Sequence, residues 1–306
     1  MMTYPKHFAD LSNISSSNLS CIIEVAKKIK NSSENIFENK PLSGKVLAMI
    51  FEKPSTRTRV SFEVAMKHLG GDTIFLSGSE MQLGRAETIG DTAKVLSRYV
   101  DAIVMRTTNH SRLLELTEYA TVPVINALTD NTHPCQIIAD IMTFEEHRGS
   151  VKGKLFSWSG DGNNILHSLI EGAARFNYLL NIATPIGSEP RNEYLNWARN
   201  QGASVALFHD AVQAVKGAHC VFTDTWISMN QEFKAREEHV FQPFQVNLSL
   251  MSMAHPDALF MHCLPAHRGE EVINEVLDGP QSVVFDEAEN RLHTQKAILL
   301  WCFGII

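Results

Sequence analysis

Short apolar segments alternate with longer segments of helical periodicity along the whole chain, and this alternation restricts the possible folds more than any other feature of the sequence. The strand candidates are 45–51, 72–76, 102–107, 122–126, 154–159, 178–184, 204–208, 219–223, 258–264 and 282–286. The clearest helical patterns between them are 88–99, 112–120, 136–147 and 164–176. Such alternation is typical of parallel sheets with helices on both faces. We therefore predict an α/β fold with two doubly wound parallel-sheet domains.

A domain boundary is predicted near the middle of the chain. The length of 306 residues suits one large or two medium domains. A stretch rich in Gly, Ser and Lys, 148–154, follows the long helical pattern. We predict a first domain at 1–147 and a second at 148–289, with a C-terminal helix at about 290–306 that packs back on the first.

Composition excludes several classes of protein. The net charge is −7 and there is no block of Lys and Arg, so a nucleic-acid partner is not expected. No apolar run reaches transmembrane length, and Met1–Leu19 lacks the apolar core of a signal peptide. The five cysteines are scattered without a CxxC pair, which favours free thiols in a reducing cytoplasm. We predict a cytoplasmic protein without a membrane partner or a metal.

Residues 51–62 indicate an anion site. The apolar strand candidate ends at Phe51, and Pro54 and Ser55 break it before a helical pattern from Arg57 to Leu69. Ser55 or Thr56 would cap that helix, so that hydroxyls, two guanidinium groups and free N–H groups meet at one point. Such a point suits a phosphate-sized dianion. The alternative is an ordinary capped surface helix with solvated arginines.

Other chemically active segments also follow strand candidates. They are Arg106-Thr107, His133-Pro134-Cys135-Gln136, Asp161-Gly162-Asn163-Asn164, Asp224 and His262-Cys263-Leu264-Pro265. Ligands of open α/β sheets bind at the carboxyl ends of strands, so these segments predict an active site in a cleft between the two domains.

Each of these segments also has an ordinary structural interpretation. Arg106 could be a solvated edge residue, and His133 a helix-start residue without chemistry. Cys263 could be a packed small apolar residue, and Asp224 could cap a turn. The glycine turn at 161–164 could belong to a nucleotide loop, although the GxGxxG pattern is absent.

Taken together, the segments resemble the aspartate/ornithine carbamoyltransferase superfamily, and within it the ornithine enzymes most closely. The matching motifs occur in the order of the family along nearly the whole chain. They are Phe51–Arg59, Gln82–Arg85, Val104–Thr107, His133–Gln136, Gly160–Asn164, Asp224–Met229, His262–Pro265 and Glu289–Arg291. The motifs at Asp224–Met229 and His262–Pro265 are the ones that resemble the ornithine enzymes rather than the aspartate enzymes. The resemblance implies transfer of a carbamoyl group from carbamoyl phosphate to L-ornithine, without a cofactor or metal.

The resemblance also implies a role for individual residues. The carbamoyl-phosphate set would be Ser55, Thr56, Arg57, Thr58, Gln82, Arg106, His133, Gln136, Cys263, Leu264 and Arg291. The ornithine set would be Asn164, Asp224, Ser228 and Met229. The catalytic residues would be Arg106, His133, Cys263 and Asp224. The first domain would bind carbamoyl phosphate and the second would bind ornithine.

The resemblance further implies a homotrimer, or a multiple of trimers, in which Gln82 enters the site of a neighbouring subunit. Two positions depart from the family, since Ala86 and Asn230 stand where Gly is usual. Arginine biosynthesis is favoured over catabolism. The alternatives are a carbamoyltransferase for a related amine, a carbamoyltransferase-like binding protein without turnover, and a hydride-transferring dinucleotide enzyme. The missing GxGxxG pattern disfavours the last of these.

Overall fold

The computed structural model describes residues 6–32, 39–78, 87–226 and 238–306. The chain divides into two compact units, of which the first comprises Met1–Ile138 with Asn290–Ile306 and the second comprises Ala139–Glu289. The boundary predicted from the sequence lay at 147, whereas this division falls inside the helix that contains residue 138. We describe each unit by itself.

The first unit is built on a four-stranded parallel sheet. In chain order its elements are α1 (Ser16–Asn31), β1 (Val46–Phe51), α2 (Thr56–Leu69), β2 (Asp72–Ser77), α3 (Ile89–Leu96), β3 (Ala102–Arg106), α4 (His110–Tyr119), β4 (Val124–Leu128) and α5 (Pro134–Arg148), which continues into the second unit. The strand order is β2-β1-β3-β4, and every pair is parallel. The segment before α1 extends the sheet, because Phe8 forms a parallel bridge with Ile125 of β4.

Apolar residues cover both faces of this sheet. Ala48 and Ile50 of β1 pack in one cluster with Ile89 of α3 and Leu113 of α4. Successive strand residues point to opposite faces, so the equally buried Leu47, and its neighbours at alternate positions, face the other side. A strand that is apolar at consecutive positions is typical of a sheet buried on both faces, which explains why β1 is a continuous apolar run.

The second unit contains a five-stranded parallel sheet. Its elements are β5 (Leu155–Ser159), α6 (Asn164–Phe176), β6 (Leu179–Ala183), α7 (Asn192–Asn200), β7 (Val205–Phe208), α8 (Ala211–Val215), β8 (Cys220–Phe222), α9 (Leu248–Met251), β9 (Leu259–Met261), α10 (Asn274–Leu277) and α11 (Val284–Cys302), whose second part belongs to the first unit. The strand order is β7-β6-β5-β8-β9. The predicted fold class, two α/β domains with parallel sheets, is confirmed.

One predicted strand is wrong. The apolar run at 282–286 forms only a single bridge, between Ser282 and Phe260, before α11 begins at Val284. Asp286 and Glu287 lie in the first turn of that helix, where carboxylates interact favourably with the helix dipole. A short apolar run does not by itself distinguish a strand from the start of a helix, and here the acidic residues that follow favour the helix.

Each sheet has one position at which the chain reverses its direction of winding. The reversal lies between β1 and β3 in the first unit and between β5 and β8 in the second. Ligands of open parallel sheets bind beyond the carboxyl ends of strands at such positions. Of the predicted functional residues, Ser55–Thr58 and Arg106 follow or end the strands β1 and β3, and Asn164 and Asp224 follow β5 and β8, at the two sides of these reversals. In the part of the chain that the structure describes, no helix combines the length and the apolar composition needed to cross a membrane.

Candidate active site

In the first unit, the start of α2 meets the end of β3. Ser55 is the N-cap residue of α2, but its hydroxyl does not accept a hydrogen bond from the first turn of its own helix. Instead it accepts a hydrogen bond from Nη1 of Arg106, at 3.2 Å. The first-turn N–H groups of a helix that lacks a side-chain cap remain available to an anion, and the helix dipole favours a negative charge there.

The two arginines at the start of α2 have different environments. Arg57 is exposed, and among the described residues it has no hydrogen-bond or ion-pair partner. Arg59 forms an ion pair with Glu63 at 2.8 Å and lies over the ring of Phe75. The prediction that two guanidinium groups of α2 meet at its N-terminus is therefore wrong, because that of Arg59 pairs with Glu63 instead. The second guanidinium at this point comes from Arg106, at the end of β3.

A third arginine reaches the same end of α2 from α11. Nη1 of Arg291 donates a hydrogen bond to Oε1 of Gln136, at 2.5 Å, and its Nη2 donates to Oγ1 of Thr58, at 3.2 Å. All three side chains are buried, as is that of Arg106. Two buried guanidinium groups, together with Arg57, make this end of the first sheet strongly positive. The arrangement suits a ligand that carries a dianionic group.

His133 precedes α5 and is 3 % exposed. Burial lowers its pKa well below the ordinary value, and the positive charges of Arg291 and Arg106 lower that pKa further. The imidazole is therefore neutral at physiological pH. A neutral imidazole can donate its single N–H to a carbonyl oxygen without adding a third buried cation.

A buried polar network lies behind His133. The neighbouring hydroxyl of Thr132 donates a hydrogen bond to Asp10, while Nδ2 of Asn126 donates to Oγ1 of Thr132 at 2.9 Å. His110 approaches the other carboxylate oxygen of Asp10 at 3.4 Å. Asp10 was not predicted from the sequence. It lies in a polar N-terminal segment, and no pattern there indicates its distance to a residue more than a hundred positions away.

Glu52 has a similar position behind Arg106. Its carboxylate accepts hydrogen bonds from the hydroxyl of Thr107 at 2.5 Å and from Nη1 of Arg112 at 2.6 Å. Its backbone N–H donates to the carbonyl oxygen of Arg106 at 2.9 Å. Glu52 thus fixes the end of β3 relative to the end of β1. It lies inside the 51–62 segment, which is the signal that could have identified it.

In the second unit, Asp224 joins two strand ends. One of its carboxylate oxygens accepts a hydrogen bond from Nδ2 of Asn163 at 2.8 Å, and the other accepts from Sγ of Cys263 at 3.3 Å. Asn163 is also the N-cap of α6, because its side-chain oxygen accepts from the N–H groups of Ile165 and Leu166. Asn163 was part of the sequence motif but was not predicted as a site residue.

The loop that carries Asn163 passes very close to another backbone segment. A Cβ atom at Gly162 would lie 2.4 Å from backbone atoms of Glu189 and Pro190. Only glycine fits this position without movement of the backbone. Asn164 is the first residue of α6 and is partly exposed beside this turn.

Cys263 carries a protonated thiol. Burial raises its pKa well above the ordinary value, and the negative charges of Asp224 and Glu287 add to that effect. The thiol is thus a hydrogen-bond donor to Asp224 rather than a thiolate nucleophile. In this state it has no capacity to accept a proton from an amine.

The following residue, Leu264, has a backbone φ of 56°. This left-handed conformation is rare for residues other than glycine and costs about 1–3 kcal/mol. Its N–H donates to Nδ1 of His262 at 2.9 Å. Nε2 of His262 is 3.1 Å from Oε1 of Glu271, and neither side chain is exposed.

Five sequence-predicted positions lie outside the described residues. They are the site residues Gln82, Ser228 and Met229 and the two departures Ala86 and Asn230. The other predicted site residues form two groups. Ser55, Thr56, Arg57, Thr58, Arg106, His133, Gln136 and Arg291 belong to the first unit, whereas Asn164, Asp224, Cys263 and Leu264 belong to the second.

Two groups of side chains among the described residues have the spacing of metal ligands. One atom each of Asp224, His262 and Cys263 lies within 4.8 Å of the others, and the same holds for His267, Glu270 and Glu271. In the first group both ring nitrogens of His262 already have hydrogen-bond partners. In the second, Glu271 accepts hydrogen bonds from His262 and from the N–H of His267. Metal binding would have to break these contacts, so the geometry does not favour it.

Comparison with known proteins identifies the family. The model of the aspartate/ornithine carbamoyltransferase carbamoyl-P binding domain matches residues 6–146, and that of the Asp/Orn binding domain matches residues 152–302. The chain belongs to the aspartate/ornithine carbamoyltransferase family. The family resemblance predicted from the sequence is thereby confirmed.

Individual members of the family cover nearly the whole chain. The ornithine carbamoyltransferase of Rhizobium meliloti is 70 % identical over 301 residues, which is 98 % of this chain and 99 % of that protein. The ornithine carbamoyltransferase of Agrobacterium fabrum is 68 % identical over 305 residues and the full length of both chains. The solved structure of ornithine carbamoyltransferase from Pyrococcus furiosus has a TM-score of 0.93 at 49 % identity, covering 99 % of this chain and 98 % of that chain.

Proposed function

We propose that this chain is an enzyme that transfers the carbamoyl group of carbamoyl phosphate to the side-chain amine of L-ornithine, giving L-citrulline and phosphate. The observation that carries the choice of substrate is the 70 % identity to the Rhizobium meliloti ornithine carbamoyltransferase over nearly the full length of both chains. Both family domains are matched, so neither substrate-binding region is missing.

The residues of the first unit have the chemistry to bind carbamoyl phosphate. We propose that Ser55, Thr56, Arg57 and Thr58 bind the phosphate at the N-terminus of α2, together with Arg106. The support is the orientation of Arg106 toward Ser55 and the absence of a side-chain cap on that helix.

The remaining residues of this group would act on the carbamoyl part. We propose that His133 donates its N–H to the carbonyl oxygen, with Arg106 and Thr58 beside it, and that Gln136 orients the carbamoyl amide. Arg291 supports this assignment because it contacts both Gln136 and Thr58. Donors of this kind stabilise the negative charge that develops on the oxygen during attack.

The residues of the second unit have the chemistry to bind the amino-acid end of ornithine. We propose that Asp224 binds its α-amino group and that Asn164, Ser228 and Met229 complete the site. Cys263 and Leu264 would contribute backbone carbonyls on the carbamoyl-phosphate side. The support for Asp224 is its carboxylate, which is oriented from two sides by Asn163 and Cys263.

The reaction requires a neutral amine. A side-chain amine of ordinary pKa, about 10.4, is mostly protonated at neutral pH, so the site must bind its deprotonated form. The amine lone pair forms the new C–N bond, the C–O bond to phosphate breaks with its electron pair leaving on phosphate, and the new C–N nitrogen loses one proton to water. Because Cys263 is a protonated thiol that donates to Asp224, we propose that it orients the carboxylate instead of accepting this proton.

A side-by-side assay tests the proposal. Ornithine, putrescine, N-acetylornithine and aspartate are each offered with carbamoyl phosphate, and both phosphate release and carbamoylated product are measured. We expect ornithine to react far faster than the others. Comparable rates with putrescine would indicate a carbamoyltransferase for a related amine, and binding of carbamoyl phosphate without release of phosphate would indicate a binding protein.

We also propose a homotrimer, or a multiple of trimers, in a cytoplasmic pathway of arginine biosynthesis. The support is the family membership and, for the assembly, the resemblance that assigns Gln82 to a neighbouring subunit. Mixing two inactive variants, Gln82→Ala and Arg57→Ala, under conditions of subunit exchange should restore part of the activity, with a tagged subunit as the control for exchange. Hybrids without recovered activity would show that Gln82 does not act across an interface.

A further inference from the structure

The turn that follows β9 contains two proposed site residues, Cys263 and Leu264, and Leu264 has a strained backbone conformation. Cys263 donates to Asp224, and the next residue, Leu264, has left-handed backbone angles that few branched residues adopt. Such a conformation persists only where surrounding contacts fix it. The contacts that fix this turn therefore determine where the Cys263 thiol meets the Asp224 carboxylate.

His262 forms a hydrogen bond with the backbone of the strained residue. Its Nδ1 accepts a hydrogen bond from the N–H of Leu264, at 2.9 Å, across the turn. An imidazole nitrogen that accepts a hydrogen bond carries no proton, so the ring proton of neutral His262 lies on Nε2. That proton is directed at Oε1 of Glu271, 3.1 Å away.

Two carboxylates fix His262 from outside the turn. Oε1 of Glu271 also accepts a hydrogen bond from the N–H of His267 at 2.6 Å, so it connects the turn to the loop beyond it. Oε2 of Glu287 accepts from the backbone N–H of His262 at 3.0 Å. The side chains of His262 and Glu271 have no exposed surface, which makes the loss of either contact costly.

We infer that His262, oriented by Glu271, is a positioning residue that holds the Cys263–Leu264 turn in the geometry required by the ornithine site at Asp224. This inference rests on the proposed function. His262 does not touch the substrate in this account. His262 acts by accepting the hydrogen bond from the Leu264 N–H, and Glu271 acts by holding the ring proton of His262 on Nε2.

Two substitutions at the same position separate the two contacts. In His262→Asn, the amide oxygen can take the place of Nδ1 and accept from Leu264, but the contact with Glu271 is lost. In His262→Gln, the amide nitrogen can take the place of Nε2 and donate to Glu271, but the acceptor for Leu264 is lost. Each variant loses one buried hydrogen bond, so similar decreases in Tm are expected.

Steady-state kinetics and calorimetric titration with ornithine are measured for both variants and the wild-type protein. We expect His262→Gln to lose tenfold or more in kcat/KM for ornithine, and His262→Asn to stay within about threefold of the wild type. If both variants lose kcat/KM for ornithine equally, in proportion to their decrease in Tm, His262 has a purely structural role and the inference is overturned. Wild-type kinetics in both variants would also overturn it.

The measurements distinguish a failure of the inference about His262 from a failure of the proposed function. A wild-type protein that binds ornithine but does not turn it over contradicts the proposed function, while the order of ornithine affinities among the variants still tests the inference. If His262→Gln does not fold, Glu271→Gln and Glu271→Met replace it. The first keeps an acceptor for His262 and His267 and should retain kcat/KM within about threefold, whereas the second has no acceptor and should lose tenfold or more.

Discussion

His133 provides the sharpest quantitative prediction, because its buried neutral imidazole links stability to pH. The ordinary pKa of histidine is 6.5, and burial together with the charges of Arg291 and Arg106 lowers the pKa of His133 well below this value in the folded protein. The unfolded chain therefore binds a proton at this residue between the two pKa values, while the folded chain does not. Stability from this group is fully present above pH 6.5 and decreases as the pH falls below 6.5.

The size of the effect follows from proton linkage. Well below the unfolded pKa, each unit of pH lowers the free energy of unfolding by about 1.4 kcal/mol for one such group. The loss between about pH 8 and about pH 5 is at most about 2 kcal/mol from His133 alone, and this limit corresponds to an imidazole that stays neutral in the folded protein over the whole range. A His133→Gln variant lacks the titrating group and lacks this part of the dependence.

Denaturant unfolding of the wild type and His133→Gln at several pH values measures the difference directly. Other histidines contribute equally to both proteins, so their effect is absent from the difference. We expect the variant to be the less stable protein at pH 8, and the difference in free energy of unfolding between the two proteins to narrow by up to about 2 kcal/mol toward pH 5. A gap that does not change with pH, or one that widens on acidification, would show that His133 is not buried as a neutral imidazole.

Three further predictions concern the residues around the two groups. Arg57→Ala should reduce kcat/KM by about a hundredfold or more, which corresponds to about 3 kcal/mol, with an unchanged circular dichroism spectrum; the matched control Arg59→Ala, whose side chain pairs with Glu63 instead, should stay within a few-fold of the wild type in the same assay. Asp10→Ala should lower the free energy of unfolding by about 1–3 kcal/mol, because the buried hydroxyl beside His133 loses its acceptor, and denaturant unfolding measures this. Asn163→Asp should keep the cap of α6 and the Tm but raise the KM for ornithine tenfold or more, since a second carboxylate would face Asp224; an unchanged KM would exclude a role of that contact in binding.

Most of the fold could be predicted from the sequence, because parallel strands buried on both faces appear as continuous apolar runs. The strand predicted at 45–51 is observed at Val46–Phe51, and the helix after it begins within one residue of the predicted start. The run at 282–286 also contains consecutive bulky apolar residues, Val283, Val284 and Phe285, yet it starts a helix. Only the neighbouring carboxylates and the single bridge to Phe260 separate the two cases.

The candidate site could be predicted from the sequence only in part. Residues at strand ends could be predicted, since the carboxyl ends of parallel strands meet at one edge of a sheet. The periodicity of apolar residues does not indicate in which direction each polar side chain after a strand points. Arg57 and Arg59 are equivalent in the pattern, but Arg59 pairs along its own helix with Glu63. The choice between them depends on where Glu63 and Phe75 lie, which is a tertiary property.

Three of the residues that were missed, all of them acidic, share one physical role, which explains why the sequence did not indicate them. Glu52, Asp10 and Glu271 each accept hydrogen bonds from a residue beside a proposed site residue, namely Thr107, Thr132 and His262. A strand end has unpaired backbone and side-chain donors, and a buried carboxylate can satisfy several of them at once, with about 1.5–3 kcal/mol per hydrogen bond to a charged group.

A carboxylate with this role must lie at a particular place in the folded protein, but it need not belong to a sequence motif. Asp10 lies 122 residues from its partner Thr132, and Glu52 lies 55 residues from Thr107, whereas Glu271 is only nine residues from His262. Because these separations along the chain differ so widely, no common spacing in the sequence identifies such carboxylates. The consequence is that substitutions at these acids should affect activity through geometry while every residue of the recognisable motifs stays in place, so motif integrity alone does not establish that a relative of this chain is active.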